Sequence, residues 1–347
     1  MGARTIHVED VLGRVSIWAG QPVTHRPLTG GLSHHIWRVD TEPAFRARLR
    51  GSQASASAEG LEAAGAHSSR TQGGASYVLR VLEPAVSAAG LGVPPPLEIE
   101  NTRLAAESGA GARVFEVLPD VPALVLEFLP GRTLDPASVR EASTIRRVAA
   151  ACRRLHAGPR FGNDFDIIGK LYELLDVCRH HDLPLPDGYL ERLSTVEHVR
   201  AALGVLPLPT VPCHNDLLAE NLIDVSGDIR IVDYQLSGNN DPTFELGDIA
   251  AESDFDPDQA ADLTAAYFGA ETTPTLVARV RLNLLLSNVT WTLWFTVHHG
   301  LLRDPESTFD YWAEAADKWG QACRDMDAPD LGRLMRAAAG RTSSLHP

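Results

Sequence analysis

The chain is poor in the features that mark secreted, metal-clustered or nucleic-acid-binding proteins. It has four cysteines among 347 residues, Cys152, Cys178, Cys213 and Cys323, far apart and with no CxxC or Cys/His pairing. That spacing suggests neither a disulfide framework nor a zinc site, and a reducing cytoplasm is the expected compartment. The first twenty residues carry charge from position 4 and offer no apolar core, so no secretory signal is expected. The most apolar stretch, LNLLLSNVTWTLWFTV at 282–297, is interrupted by Asn283, Ser287, Asn288, Thr290 and Thr292. It falls short of a membrane span and predicts a buried helix. Basic residues are outnumbered, 31 against 45 acidic, for a formal charge of −14. This balance disfavours nucleic acid as a partner and suits a cationic small substrate. Internal repeats are absent.

What is present fits two lobes, because 347 residues exceed one typical compact domain. An opening helix is expected over 8–19, then strands over 22–28, 34–40 and 76–82. Between the last two lies 41–75, a Gly/Ala/Ser tract without apolar periodicity, expected to be a flexible insertion. A helix follows near 96–108, with strands near 113–118 and 122–128. PGRTLDP at 130–136 is rich in turn residues and marks a boundary between 1–129 and 130–347. Beyond it, Ile145, Val148, Cys152 and Leu155 fall on one face of an amphipathic helix ending near Gly158. Helices are expected over 164–181 and 187–203, a strand-loop-strand unit over 211–234, and helices to the end. The fold class is therefore α+β and bilobal, in the outline of a protein kinase. An N-lobe with an antiparallel sheet and a helix carries a mostly helical C-lobe.

The chemistry concentrates in VPCHNDLLAENLIDVSGDIRIVDYQLSGNNDPTFELGD, residues 211–248. Asp216 lies in His214-x-Asp216-x4-Asn221, after a short apolar run, and Asp233 ends the strand-like IRIVD twelve residues past Asn221. In a kinase fold the first Asp accepts the proton of the attacking hydroxyl, while the Asn and the later Asp hold magnesium against the phosphates. Magnesium prefers oxygen donors, which Asn221 and Asp233 supply. Any one of these residues alone reads equally well as a loop cap. The ordered combination is what points to a nucleotide-dependent phosphotransferase. His214 is assigned to bracing the loop.

These residues resemble the choline/ethanolamine kinase branch of the aminoglycoside-phosphotransferase-like kinases, in CHNDLLAENLI and IRIVDYQLSGNNDPTFELGDIAAES above all. The resemblance covers nearly the whole chain apart from 41–75. It implies ATP and Mg2+ as cofactors and a small-molecule alcohol as acceptor. LTGGLSHHIWRV is similar to the family's nucleotide-binding loop, which implies Gly30, Gly31 and Ser33 as phosphate contacts. YVLRV places Arg80 where many kinases have lysine, and ENTRLAAESG makes Glu98 its expected ion-pair partner. ALVLEFLPGRTL resembles the hinge, so the backbone from Glu127 to Leu129 is expected to meet adenine. Taken alone, the glycine pair suits a hairpin turn and Arg80 and Glu98 suit a surface. Arg also has the planar fork to pair a carboxylate and a phosphate together.

The acceptor clue lies in SNVTWTLWFTVHHG and FDYWAEAADKWG. A quaternary ammonium accepts no ordinary hydrogen bond and is favoured by aromatic faces and carboxylates. Trp291, Trp294 and His298 share a helix face by their spacing, and the resemblance carries the two tryptophans onto aromatic pocket positions and Glu252 onto an acidic one. Tyr311 and Gln235 join the candidate substrate residues, as does Asp216. Core packing is the competing reading of the aromatics. Three positions depart from the family: Gln235 replaces a glutamate, Leu218 a glutamine, and His298 a glutamine. The expected activity is phosphorylation of choline or a related amino alcohol. An antibiotic phosphotransferase and a non-catalytic nucleotide-binding pseudokinase are the other readings.

Overall fold

A computed structural model describes residues 8–28, 34–42, 74–118, 120–303 and 308–341. Most of the 41–75 tract, with its expected flexibility, and Gly30, Gly31 and Ser33 lie outside the described residues. The chain divides into two compact units, Met1–Glu83 with Arg113–Phe128, and Pro84–Ala112 with Leu129–Pro347. The helix expected near 96–108 belongs to the second unit, not to the sheet.

The first unit is an antiparallel sheet in the order β1-β2-β3-β5-β4. Its strands are β1 (Val23–Pro27), β2 (His35–Thr41), β3 (Ser76–Val81), β4 (Val114–Leu118) and β5 (Ala123–Glu127). β-Branched and aromatic residues give these segments their extended preference, and one face closes over Val39, Leu79, Val81 and Val125. The helix expected over 8–19 is shorter. α1 (Val8–Leu12) stops at Gly13, Val15 is extended, and a 3-10 turn follows at Ser16–Trp18. The cause is a carboxylate: Glu116 of β4 accepts the backbone N–H groups of Ser16 at 2.8 Å and Ile17 at 3.1 Å. An orphan turn is capped from outside in place of continued helix.

The second unit is mostly helical. Its helices are α2 (Pro84–Ala88), α3 (Pro95–Glu107), α4 (Pro136–Val139), α5 (Ala142–His156), α6 (Ile167–His180) and α7 (Leu193–Leu203). After the strand-and-loop segment 211–241 come α8 (Pro242–Glu252), α9 (Pro257–Phe268), α10 (Pro274–Val297), α11 (Tyr311–Met326) and α12 (Leu331–Ala338). The expected face of α5 is buried at Ile145, Val148, Cys152 and Leu155. The apolar run 282–297 lies inside α10, which packs against α6, α8 and α11. Several of its polar side chains find partners, while those of Asn288 and Thr290 make no hydrogen bond among the described residues. Asn283 donates to Thr243 at 3.0 Å, and Thr292 and Thr296 return their hydroxyls to carbonyls one turn back at 2.8 Å. Among the described residues no helix is long and apolar enough to cross a membrane.

Two small sheets hold the loops that matter. β7 (Val211–Cys213) pairs with β10 (Gly238–Asn240), and β8 (Leu222–Val225) lies between β6 (Arg132–Thr133) and β9 (Asp228–Ile231). The 211–234 unit thus contains three strands where two were expected.

Candidate active site

The loop 214–221 leaves β7 and returns as β8 through a 3-10 turn at Ala219–Asn221. His214 fixes its start. The ring accepts the Asp216 N–H at Nδ1 (3.3 Å) and meets the Val232 carbonyl through Nε2 (2.9 Å), which places the ring proton on Nε2. Burial is the main reason its pKa lies below the ordinary value, and a neutral brace is the result. Asn215 has φ of +68° and Asp233 φ of +70°, the left-handed region that Asn and Asp tolerate best among side-chain-bearing residues. Asn215 secures its conformation by donating to the Leu236 carbonyl at 3.1 Å and accepting from Asn240 at 2.9 Å. Asn221 returns its side-chain N–H to the Asp216 carbonyl at 2.9 Å, and the Val232 N–H meets the Asn221 carbonyl at 3.0 Å. The strand β9 stops at Ile231, short of the expected end at Asp233, and the Val232 bond ties the segment leading to Asp233 to the loop that carries Asp216 and Asn221.

Two carboxylates of α8 support this loop from beneath. Glu245 accepts the backbone N–H groups of His214 at 2.8 Å and Asn215 at 2.7 Å. Asp248 accepts the Leu217 N–H at 2.7 Å, and its other oxygen takes the Ser287 hydroxyl and the Trp291 indole N–H, each at 2.8 Å. Burial pushes Glu245 upward, but the hydrogen bond and charge of His156 and the His214 neighbourhood outweigh it and hold the pKa low. Asp248 is pushed up to about 8, by burial first and the Glu252 charge second. Asp216 is raised well above the carboxylate range by burial, then by the charges of Asp248, Glu252 and Asp233, with Lys318 acting against them.

His156, Cys213 and Glu245 have ligating atoms within 4.8 Å of one another. Their contacts are those of a brace. The Tyr267 hydroxyl lies 2.7 Å from His156 Nδ1, His156 Nε2 lies 3.4 Å from Glu245, and the Cys213 thiol donates to the Asn240 carbonyl at 3.7 Å. Burial, and then the Glu245 charge, keep that thiol protonated.

The candidate acceptor residues gather in the same unit. Gln235 Nε2 and Trp294 Nε1 both donate to the Leu91 carbonyl, at 2.8 and 3.0 Å. Tyr311 stacks face to face on His298 with centroids 3.9 Å apart, and Trp294 lies 5.2 Å from the same imidazole. Trp291, Trp294 and Tyr311 all belong to the buried core of the unit. Glu252 pairs with Lys318 at 2.7 Å, both side chains 5% exposed or less.

Of the candidate nucleotide residues, Arg80 is buried on β3, opposite Leu124 of β5. Glu98 is buried in the first turn of α3. Glu127 ends β5, where its N–H meets the Arg113 carbonyl at 2.8 Å. Leu129 follows in the second unit and accepts the Gly131 N–H at 2.9 Å.

Sequence reasoning gave no role to Glu245, Asp248 or Lys318. The sequence carried only their spacing. Residues 245, 248 and 252 recur at helical spacing on one face of α8, and Lys318 shares the buried face of α11 with Tyr311 and Ala315.

Comparison with known proteins places this geometry in context. The sequence matches the model of a family described as "Phosphotransferase enzyme family" over residues 24–279. It is 26% identical to mouse ethanolamine kinase 1 over 266 residues, 65% of this chain. The match takes in 70% of the mouse protein but 57% of its human counterpart. The structure resembles a choline/ethanolamine kinase family protein from Mesorhizobium loti, with TM-score 0.75, 26% identity and coverage of 96% and 98% of the two chains. A LicA structure solved with AMP shares the fold at TM-score 0.64 and 16% identity, over 92% and 96% of the chains.

Proposed function

The chain belongs to the phosphotransferase enzyme family, and from that premise we propose that it transfers the γ-phosphoryl group of ATP to the hydroxyl of choline or a related amino alcohol. The observation that carries this reading is the loop of Asp216 and Asn221, braced by His214, Glu245 and Asp248 and tied through Val232 to the segment that carries Asp233. Asp216 is the group that receives the acceptor's proton, and its raised pKa makes it a stronger base than an ordinary carboxylate. Its backbone is fixed at both ends, by His214 at its N–H and Asn221 at its carbonyl, so the carboxylate is presented without reorganisation.

Asn221 and Asp233 fit magnesium by donor chemistry. Both offer oxygen, and Asn221 spends its side-chain nitrogen on the loop, which leaves its amide oxygen as the atom for a cation. Magnesium supplies charge neutralisation at the phosphates of the bound nucleotide. Arg80, Glu98, Gly30, Gly31 and Ser33 are the proposed nucleotide contacts, with the backbone from Glu127 to Leu129 for adenine.

The acceptor side supports an amine. Asp216, Asp248, Glu252 and Glu314 surround one ammonium, Lys318, so the acids outnumber it and an added cation is favoured. Gln235 stands where the resemblance expects a glutamate, lacks its charge, and is held to Leu91. Trp291 and Trp294 are 3% and 7% exposed, so little ring surface is open, which favours a small acceptor over a large antibiotic. The test is ADP release from Mg-ATP with a panel of choline, ethanolamine, their N-methyl intermediates and an aminoglycoside. Turnover with an amino alcohol, abolished by excess EDTA, is the expected result. Turnover restricted to the aminoglycoside, or unaffected by EDTA, contradicts the reading.

A further inference from the structure

The pair Lys318–Glu252 is unusual for its burial. The two side chains are 4% and 5% exposed at a 2.7 Å contact, and nothing in the proposed chemistry calls for a lysine there. Long charged side chains are almost never fully buried unless they are paired. The partner, Glu252, closes α8, one turn past Asp248. Asp248 in turn holds the Leu217 N–H, the residue beside Asp216. A line of charge therefore runs from α11 through the end of α8 to the catalytic loop.

Asp248 makes three hydrogen bonds, and every partner is a donor: Leu217 N–H, Ser287 hydroxyl and Trp291 indole N–H. A carboxylate accepts all three without conflict, whereas a protonated acid introduces a fourth hydrogen where the neighbours offer hydrogens already. The loop bond is thus made by the ionised form. Working against that form are burial and the Glu252 charge on the same helix. The groups facing Asp248 are Glu252, Asp216 from the loop, neutral Ser287 and Trp291 from α10, and Lys318 from α11. Glu314 faces Lys318 from one turn earlier on α11. Lys318 supplies the opposing charge.

We propose that Lys318 is a positioning residue of this phosphotransferase, the resident counter-ion that keeps the ionised form of Asp248 within reach at neutral pH and so lets it hold the Leu217–Asp216 segment in place. The proposal rests on the reading of Asp216 as the base. Lys318 touches no reacting atom; it acts through Glu252 and Asp248. Removing its charge leaves two buried carboxylates facing each other a turn apart, and one takes up a proton. When Asp248 does so, its bond to the loop is the one in conflict.

The test reads Asp248 directly through Trp291, whose indole N–H it accepts. The indole 15N–1H signal of Trp291, assigned with Trp291→Phe, is followed against pH in the wild type, Lys318→Met, Lys318→Arg and the double variant Lys318→Met/Glu252→Gln. In Lys318→Met the midpoint is expected to rise by about one unit or more. In Lys318→Arg, which keeps the charge, it stays near the wild-type value. In the double variant, which removes the Glu252 charge as well, it falls back to or below the wild type. Turnover measured at neutral pH with an amino-alcohol acceptor should drop about tenfold or more in Lys318→Met, through kcat with KM for ATP unchanged, and recover in Lys318→Arg.

An unchanged midpoint in Lys318→Met overturns the proposal, as does a full kcat in that variant. If Lys318→Met does not fold, the double variant decides, because a charge-free pair of similar volume is tolerated where a half-pair is not. A double-variant midpoint raised well above the wild type then contradicts the account. Should the wild type phosphorylate no amino alcohol, the functional reading fails, while the indole titration still answers the question of charge coupling.

Discussion

Glu245 and Asp248 stand three residues apart on one helix, both buried, and both accept backbone N–H groups of the same loop. Their acidities nevertheless move in opposite directions. The Glu245 side of the loop faces His156 and His214, and the carboxylate is held below its ordinary value despite burial. The Asp248 side faces burial and the charge of Glu252, and its carboxyl is pushed up to about 8. The same structural task is thus done by a firmly ionised group on one side and a poised one on the other. Hydrogen-bond geometry alone does not distinguish them. The sign of the neighbouring charge does.

Linkage turns that contrast into measurable stability. A group whose folded pKa is depressed contributes stability present above its unfolded pKa and lost as pH falls through the folded value; Glu245 is that case. A group whose folded pKa is raised contributes stability fully present below the unfolded value and lost as pH rises through the folded one; Asp248 is that case. Glu245→Gln is expected to have the larger effect. It leaves two loop N–H groups sharing a weaker acceptor beside His156, at a cost of about 3–5 kcal/mol at neutral pH. Thermal melts should show the deficit shrinking as pH falls toward 4. A deficit that is constant with pH breaks the comparison.

Asp248→Asn should cost less, because the native carboxyl is already disfavoured as a charge where Glu245 is favoured as one, and its cost should have the opposite pH trend. Relative to the wild type, this variant should gain in melting temperature between about pH 5 and pH 8.5 as the native carboxyl is forced to ionise. If both variants slope the same way, the two sides of α8 are not electrostatically distinct. The smallest effect is expected away from the loop, at Asp325. Burial raises its pKa to about 6, offset in part by Arg281 and Arg324. Asp325→Asn should therefore raise the melting temperature by about 1–3 °C at pH 7.5 and change little at pH 4 to 5. A loss of stability at pH 7.5 would mean that the Asp325 charge is favourable where it sits.

Much of this architecture was legible because it depends on local signals. The five strands of the sheet, the buried face of α5 and the burial of 282–297 follow from side-chain periodicity. Asp216, Asn221 and Asp233 could be singled out because their order and spacing are set by one loop and one strand. The opening helix could not be bounded correctly, since the carboxylate that ends it, Glu116, arrives from a strand a hundred residues away. Glu245, Asp248 and Lys318 escaped for a similar reason. Each looks in sequence like a surface charge on a helix, and only the packing of α8, α10 and α11 buries them. The left-handed backbone at Asn215 and Asp233 was equally hidden, because no glycine marks it. For Trp291 and Trp294 the sequence left core and cage open. Their indole N–H groups are committed to Asp248 and Leu91, which anchors both rings without deciding which faces a ligand meets.

The central claim is that Asp216 works in the transition state on a loop that other residues hold. Asp216→Asn keeps size and hydrogen bonding while removing charge and basicity, so it separates that role from a structural one. The direct measurement pairs kcat with melting temperature and ATP affinity on the purified variant, using the best amino-alcohol acceptor. The account predicts a fall in kcat of roughly 10²–10⁴-fold, ATP affinity close to the wild type, and a melting temperature equal to or above it, since a carboxylate whose charge its surroundings disfavour has been removed. A stable variant that retains near-wild-type kcat would contradict it.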